Sequence, residues 1–470
     1  MEIKRIIFSL IFVLLIIRLN AQNYTPTWDS LDKRATPDWF ENAKFGIFIH
    51  WGLYSVPAWA PTGNDIGIYD KYAEWYWHRI GTRNDSDMEM NRVRNLFKTY
   101  HTKTWGENFK YQNFAYLWKA ESFEPTQWAE LFQKSGARYV VLTSKHHEGF
   151  ALWPSNESWN WNSSDIGPQR DICGELNQAV RDKGLKMGFY YSLYEWFNPV
   201  YKSNVTKYVD EKMLPQLKDL VTRYSPDIIW VDGEWEHSSD TWKSKEFLIW
   251  LYNDTKVKST VVVNDRWGKD TRGKHGSFFT TEYDLKHDNN SIGISSKRIW
   301  EECRGIGGSF GYNKNEKLHD YQRTEELIKL LIEKVSAGGN LLLNVGPTAD
   351  GRIPVIMEQI LLGVGNWLQT NGEAIFDTKS WENKHLQEEN KGVFYTQKGK
   401  DLYVFITNSE TSEVTVKSIK KAEKITLLGS DTKINFSKHK DVVRIAIPHV
   451  CRGQKNNNLA FVFKIEGACN

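Results

Sequence analysis

The chain has 470 residues, enough to bury a large core and to hold two domains. It is 40% hydrophobic and 25% charged with a formal net charge of +3, which excludes a disordered or strongly basic chain; Lys and Arg are spread out and leave no nucleic-acid footprint. The outlying number is 21 Trp, a side chain that buries much area and stacks on apolar faces, including the C–H faces of sugars.

In chain order, Lys4 and Arg5 precede an uncharged run from Ile6 to Ile17, and Asn20-Ala21 precede Gln22. This layout predicts a secretory signal peptide over 1–21, too short an apolar run for a transmembrane helix, and hence export to the periplasm or beyond. Apolar strand-like runs follow at Phe45–His50, Tyr139–Ser144, Met187–Ser192, Ile228–Asp232, Val261–Asp265, Phe278–Tyr283, Ile299–Cys303 and Leu341–Val345. Helical patterns lie between several of them, at Pro125–Ser135, Val209–Tyr224 and Thr324–Val335. Continuous apolar runs suit a parallel sheet covered on both faces. Repeated strand–helix units of this number predict a (β/α)8-like barrel over 22–376. The polar stretch from Asn84 to Tyr111 reads as a loop or short helices over a barrel mouth. From 377 to 470 the runs are short, carry no helical period and predict an antiparallel β-sandwich. The four cysteines show no metal spacing; Cys451 and Cys469 could clip the C-terminal region or remain free thiols.

The run Ile228–Asp232 ends in a carboxylate between Trp230 and Trp235, followed by Gly233. Side chains at the C-terminal ends of barrel strands face the substrate. The other runs end in the same kinds of residue: His50, then His146 and His147, Tyr190, Arg266, Glu282 and Glu301. Adjacent histidines on a strand point to opposite faces, so His146 and His147 are a poor metal pair, and no metal or other cofactor is expected. Neutral imidazoles bonding hydroxyls is the better reading. Trp, His and carboxylates together suit glycoside hydrolysis, which needs one ionised carboxylate and one proton-donating carboxyl across the scissile bond. Asp232 is the natural nucleophile. Glu74, Glu282, Glu301 and Glu302 are candidates for the second role, and spacing does not choose among them.

Several segments resemble glycoside hydrolase family 29, the retaining α-L-fucosidases. They are Phe45–Pro57 (FGIFIHWGLYSVP), Ala73–Tyr76 (AEWY), Ala137–Phe150 (ARYVVLTSKHHEGF), Gly188–Ser192 (GFYYS), Asn264–Gly268 (NDRWG), Trp300–Cys303 (WEEC), Ser309–Tyr312 (SFGY) and Asn340–Pro347 (NLLLNVGP). The resemblance spans about residues 23–375, in order. It implies an exo-acting enzyme that removes terminal α-L-fucose from glycans through a fucosyl ester on Asp232. It implies a fucose subsite of His50, Glu74, Trp75, His146, His147, Tyr190, Trp230 and Arg266, with His50, Glu74, His147 and Trp230 taking hydroxyls. Glu282 matches the acid/base of broad-specificity members, and Glu301 matches the position used in others. The alternatives are a fucose-binding barrel without turnover, or another retaining exo-glycosidase such as an α-galactosidase. Retention of Asp232 speaks against the first, and a methyl pocket would separate the second. The sequence does not settle the preferred linkage, transglycosylation or oligomeric state.

Overall fold

Eight apolar runs pair side by side as parallel strands in the computed structural model, which describes residues 23–81, 87–283, 298–387, 391–408, 411–451 and 459–469. They are β1 Phe45–Ile49, β2 Tyr139–Lys145, β3 Lys186–Ser192, β4 Ile228–Asp232, β5 Val262–Val263, β6 Phe279–Glu282, β7 Trp300–Gly305 and β8 Gly339–Val345, in sheet order 5-4-3-2-1-8-7-6. Every residue of β1, β2, β4 and β8 is buried, because helices cover the outer face and the sheet curls on itself. The barrel is open between β5 and β6, where single backbone bonds to Val263 O from Ser277 (2.9 Å) and Phe278 (3.4 Å) replace a ladder. The predicted five-residue β5 shortens to two for a local reason. The Asn264 side chain takes over the pairing with β4, accepting from Val231 N at 3.2 Å and donating to Val231 O at 2.8 Å.

The helices differ from expectation in two places. Met88–Trp105 is one 18-residue helix rather than a loop or short helices. The Asp87 side chain caps it by accepting from Met90 N at 3.0 Å, and Val93, Phe97 and His101 form its buried stripe at i, i+4, i+8. Charged residues on its other faces dilute that stripe in the sequence. The predicted helix Val209–Tyr224 starts with a π turn over Val209–Met213 before the α-helix Leu214–Tyr224. Pro215 has no N–H with which to continue the ladder at that junction.

The C-terminal strands are antiparallel, in a five-stranded and a three-stranded sheet. The strand Asp401–Ile406 shows why its run looks uniformly apolar. Leu402, Val404 and Ile406 enter the core between the two sheets, whereas Tyr403 and Phe405 face the other way, into the barrel's hydrophobic cluster. All four cysteines are buried, and Cys469 is a free thiol, so Cys451 and Cys469 form no clip. No described helix is long and apolar enough to cross a membrane. The segment read as a signal peptide lies outside the described residues.

Candidate active site

The strand ends converge on a cavity of about 290 Å³ at the C-terminal mouth of the sheet. Asp232, Glu282, His50, Glu74, Trp75, His146, His147, Tyr190, Trp230 and Arg266 all line it. β4 contributes two of them by strand parity: Trp230 and Asp232 point inward, while Ile229 and Val231 pack against the outer helices.

Asp232 is the last residue of β4 and is 9% exposed. Burial alone would raise its pKa, but the Arg266 guanidinium overrides that and holds it well below the usual carboxylate range. Arg266 Nη1 donates to Asp232 Oδ1 at 2.8 Å, and the Tyr190 hydroxyl donates to Oδ2 at 3.0 Å. The other arm of the same guanidinium, Nη2, reaches Glu282 Oε2 at 3.4 Å, and the Tyr72 hydroxyl donates to Glu282 Oε1 at 2.8 Å. One arginine therefore bridges two carboxyls, and the shorter contact favours negative charge at Asp232. Arg266 is itself fixed from below. Its Nε donates to Thr280 Oγ1 at 3.0 Å, which donates to Asp265 Oδ1 at 2.7 Å, and its guanidinium lies 4.4 Å over the Trp230 ring.

The histidines present acceptors to the cavity. His50 Nδ1 lies 2.7 Å from Asn344 Oδ1, an oxygen that can only accept because Asn344 Nδ2 donates to Phe310 O. The proton is therefore on Nδ1 and the Nε2 lone pair is free; burial pushes this ring down to about 3, so it stays neutral. His147 repeats the arrangement. Ser192 Oγ donates to Tyr194 O, so it accepts from His147 Nδ1 at 2.6 Å, leaving Nε2 3.7 Å from Asp232 Oδ2. Burial keeps this imidazole neutral too. His146 and His147 do not point to opposite faces: both line the cavity with ring centroids 4.1 Å apart, because β2 ends at Lys145 and strand alternation ends with it. Glu74 is 2% exposed, accepts from Gly311 N at 2.8 Å, and burial raises its pKa. Trp75 stands against His147 at 5.6 Å, and Phe48, Tyr190, Trp230 and Phe310 form an aromatic wall.

Trp230 differs from the expectation of a hydroxyl donor. Its indole N–H is already given to Glu301 Oε1 at 3.0 Å, so it has no donor left for a ligand hydroxyl. Glu301 does not line the cavity. It is 1% exposed, its Oε2 accepts from the Tyr139 hydroxyl at 2.5 Å, and burial pushes its pKa up to about 7. The close approach of Tyr139 depends on Gly46, where an added Cβ would lie 2.3 Å from the Tyr139 ring. Glu302 is bound to Arg304 at 2.8 Å and by the Thr281 hydroxyl, away from the cavity. Sequence reasoning missed Tyr72, which holds Glu282, and Arg272, which lines the cavity; Tyr72 sits one residue before the AEWY motif, which was the available signal. Among the described residues no group of three or more His, Cys, Asp or Glu is placed to hold a metal ion.

A barrel mouth with one ionised and one further carboxyl lining a cavity is the arrangement that glycoside hydrolysis uses. Comparison with known proteins narrows the class. The family model "Alpha-L-fucosidase" matches residues 13–373, and the model "Alpha-L-fucosidase C-terminal domain" matches residues 387–466. The chain is 46% identical over 394 residues to an alpha-L-fucosidase of Dictyostelium discoideum, covering 82% of this chain and 80% of that one. It is 43% identical over 447 residues to the tissue alpha-L-fucosidase of Mus musculus, covering 92% of each. It superimposes on the crystal structure of Thermotoga maritima alpha-fucosidase in complex with fucose with a TM-score of 0.75 at 34% identity, covering 94% of this chain and 100% of that one. The chain belongs to the α-L-fucosidase family and is a glycoside hydrolase.

Proposed function

We propose that the chain is an exported, exo-acting, retaining α-L-fucosidase that removes terminal fucose from glycans, with Asp232 as nucleophile and Glu282 as acid/base. The observation that supports this reading is the Arg266 bridge, which contacts both carboxyls and favours the anion at Asp232. An Asp232 oxygen attacks C1 of fucose as the bond from C1 to the leaving oxygen breaks, and Glu282 gives its proton to that oxygen. Glu282 then takes a proton from water; the water oxygen bonds to C1 and Asp232 departs as carboxylate, with net retention. The neutral His50 and His147 accept from ring hydroxyls through Nε2, the Glu74 carboxyl bonds a third, and the aromatic wall shelters the C5 methyl. Glu301 serves as an internal anchor for Trp230 rather than as the acid.

The test is hydrolysis of an aryl α-L-fucoside by wild type, Glu282→Ala and Glu301→Ala, with and without azide. Azide rescue is expected in Glu282→Ala alone, giving α-L-fucosyl azide. Rescue in Glu301→Ala instead would reverse the acid/base assignment.

A further inference from the structure

Glu316 is a half-buried carboxyl that the chemistry leaves unused. Its Oε1 accepts from two successive amides of the loop 305–311, Gly308 N at 2.7 Å and Ser309 N at 3.0 Å. Its Oε2 packs against Gly307, where an added Cβ would lie 2.5 Å away. Burial pushes the carboxyl up to about 7, while the two amides pull it down. Four of the seven loop residues are glycine, so the loop has few side chains of its own to fix its path. The segment that bears Glu316 is itself tied down. Asn313 is 1% exposed; its Oδ1 accepts from Ala60 N at 3.1 Å and its Nδ2 donates to Ala60 O at 3.2 Å. Lys314 N donates to Ala58 O at 2.9 Å.

The same loop makes three contacts that shape the cavity. Gly311 N donates to Glu74 Oε2. Ser309 Oγ accepts from Ala73 N at 2.9 Å and so fixes the backbone beside Glu74. Phe310 gives its ring to the aromatic wall, 4.9 Å from His50, and its carbonyl to Asn344, the residue that sets the His50 tautomer. We propose that Glu316 is a positioning residue for the fucose subsite, acting through the loop 305–311 on Glu74, Phe310 and His50. This role rests on reading Glu74 and His50 as partners of fucose hydroxyls. Glu316 does not line the cavity, so its action is indirect. Without its carboxyl, Gly308 N and Ser309 N lose their acceptor, and a glycine-rich loop gains freedom where it turns toward Glu74. Fucose binding should suffer more than bond breaking, because Asp232, Arg266 and Glu282 are held from elsewhere, by Tyr190, Thr280 and Tyr72.

The experiment measures competitive inhibition by L-fucose, with kcat and KM on an aryl α-L-fucoside, for wild type, Glu316→Ala, Glu316→Gln, Gly307→Ala and Glu74→Ala. Thermal unfolding is recorded for each. Glu316→Ala is expected to raise the inhibition constant and KM about tenfold, the scale of two lost hydrogen bonds, with a smaller change in kcat. Glu316→Gln keeps an acceptor at Oε1 and should stay within about twofold of wild type. Gly307→Ala crowds Oε2 from the loop side; it should reproduce the loss in KM, and it carries the test if Glu316→Ala fails to fold. An unchanged inhibition constant in Glu316→Ala at a lowered unfolding temperature would make Glu316 purely structural and overturn the positioning role. A fall in kcat at constant KM would overturn it too, as would equal losses in Glu316→Gln and Glu316→Ala. Wild-type inhibition of Glu74→Ala would instead bring down the reading of the fucose subsite, and the positioning role with it.

Discussion

Two carboxyls of the same barrel, Asp232 at the rim and Glu301 deeper in, meet opposite surroundings. Both are buried, and burial alone pushes both pKa values up. At Asp232 a guanidinium 2.8 Å away reverses that push; at Glu301 the partners are the neutral donors Tyr139 and Trp230, and the push stands. The cation decides which group is held as an anion and which keeps its proton more readily. Trp230 links the two, donating its N–H to Glu301 and lending its ring to Arg266.

Removing the groups one at a time tests this division. Asp232→Ala should abolish turnover of aryl fucosides while the thermal unfolding transition persists; retained turnover would move the nucleophile elsewhere. Glu282→Ala should cost about 10²–10⁴-fold in kcat on substrates with poor leaving groups. The loss should be much smaller on activated aryl fucosides, and equal losses on both would contradict the acid role. Arg266→Met should cost about a hundredfold in kcat/KM, the scale of charged hydrogen bonds. Because Arg266 holds the Asp232 pKa down, its removal should shift the acid limb of the pH profile to higher pH; an unmoved limb would show that the guanidinium does not set the charge.

Glu301 should respond in stability rather than in chemistry. Its pKa in the folded chain is raised to about 7, against an ordinary value near 4.5. The folded state therefore keeps a proton that the unfolded state releases. Stability should fall by up to about 3 kcal/mol as pH rises from about 4.5 to about 7, then level off. Glu301→Gln keeps an acceptor for Trp230 and should flatten that part of the pH dependence in denaturant titrations while retaining turnover. An unchanged slope would contradict the buried-acid reading. The smallest effect is expected from Thr280→Val, which frees Arg266 Nε and should cost about tenfold in kcat/KM. Wild-type kinetics there would mean that the arginine's other contacts position it without Thr280.

The barrel was legible because strands buried on both faces spell themselves as apolar runs, and because polar residues sit where those runs stop. The same rule could not rank Glu282 against Glu301. Both lie in strand runs, and only the depth of the side chain separates them: Glu282 closes β6 at the rim, whereas Glu301 is the second residue of β7. His146 and His147 misled for a related reason, since alternation applies only while the strand continues. The helix Met88–Trp105 was hidden by its charged faces, and β5 was overextended because Asn264 imitates backbone with its amide. Arg272 reaches the cavity through tertiary placement that no local pattern encodes, whereas Tyr72 was signalled only by its place beside the AEWY motif.

The most direct test is to trap the intermediate. Wild type would be incubated with 2-deoxy-2-fluoro-α-L-fucosyl fluoride, digested, and the labelled peptide sequenced by mass spectrometry. A single fluorofucosyl group on Asp232, with activity lost in proportion to labelling, is the expected result. A label on Glu282, Glu301 or any other residue, or loss of activity with no covalent label, would contradict Asp232 as the nucleophile.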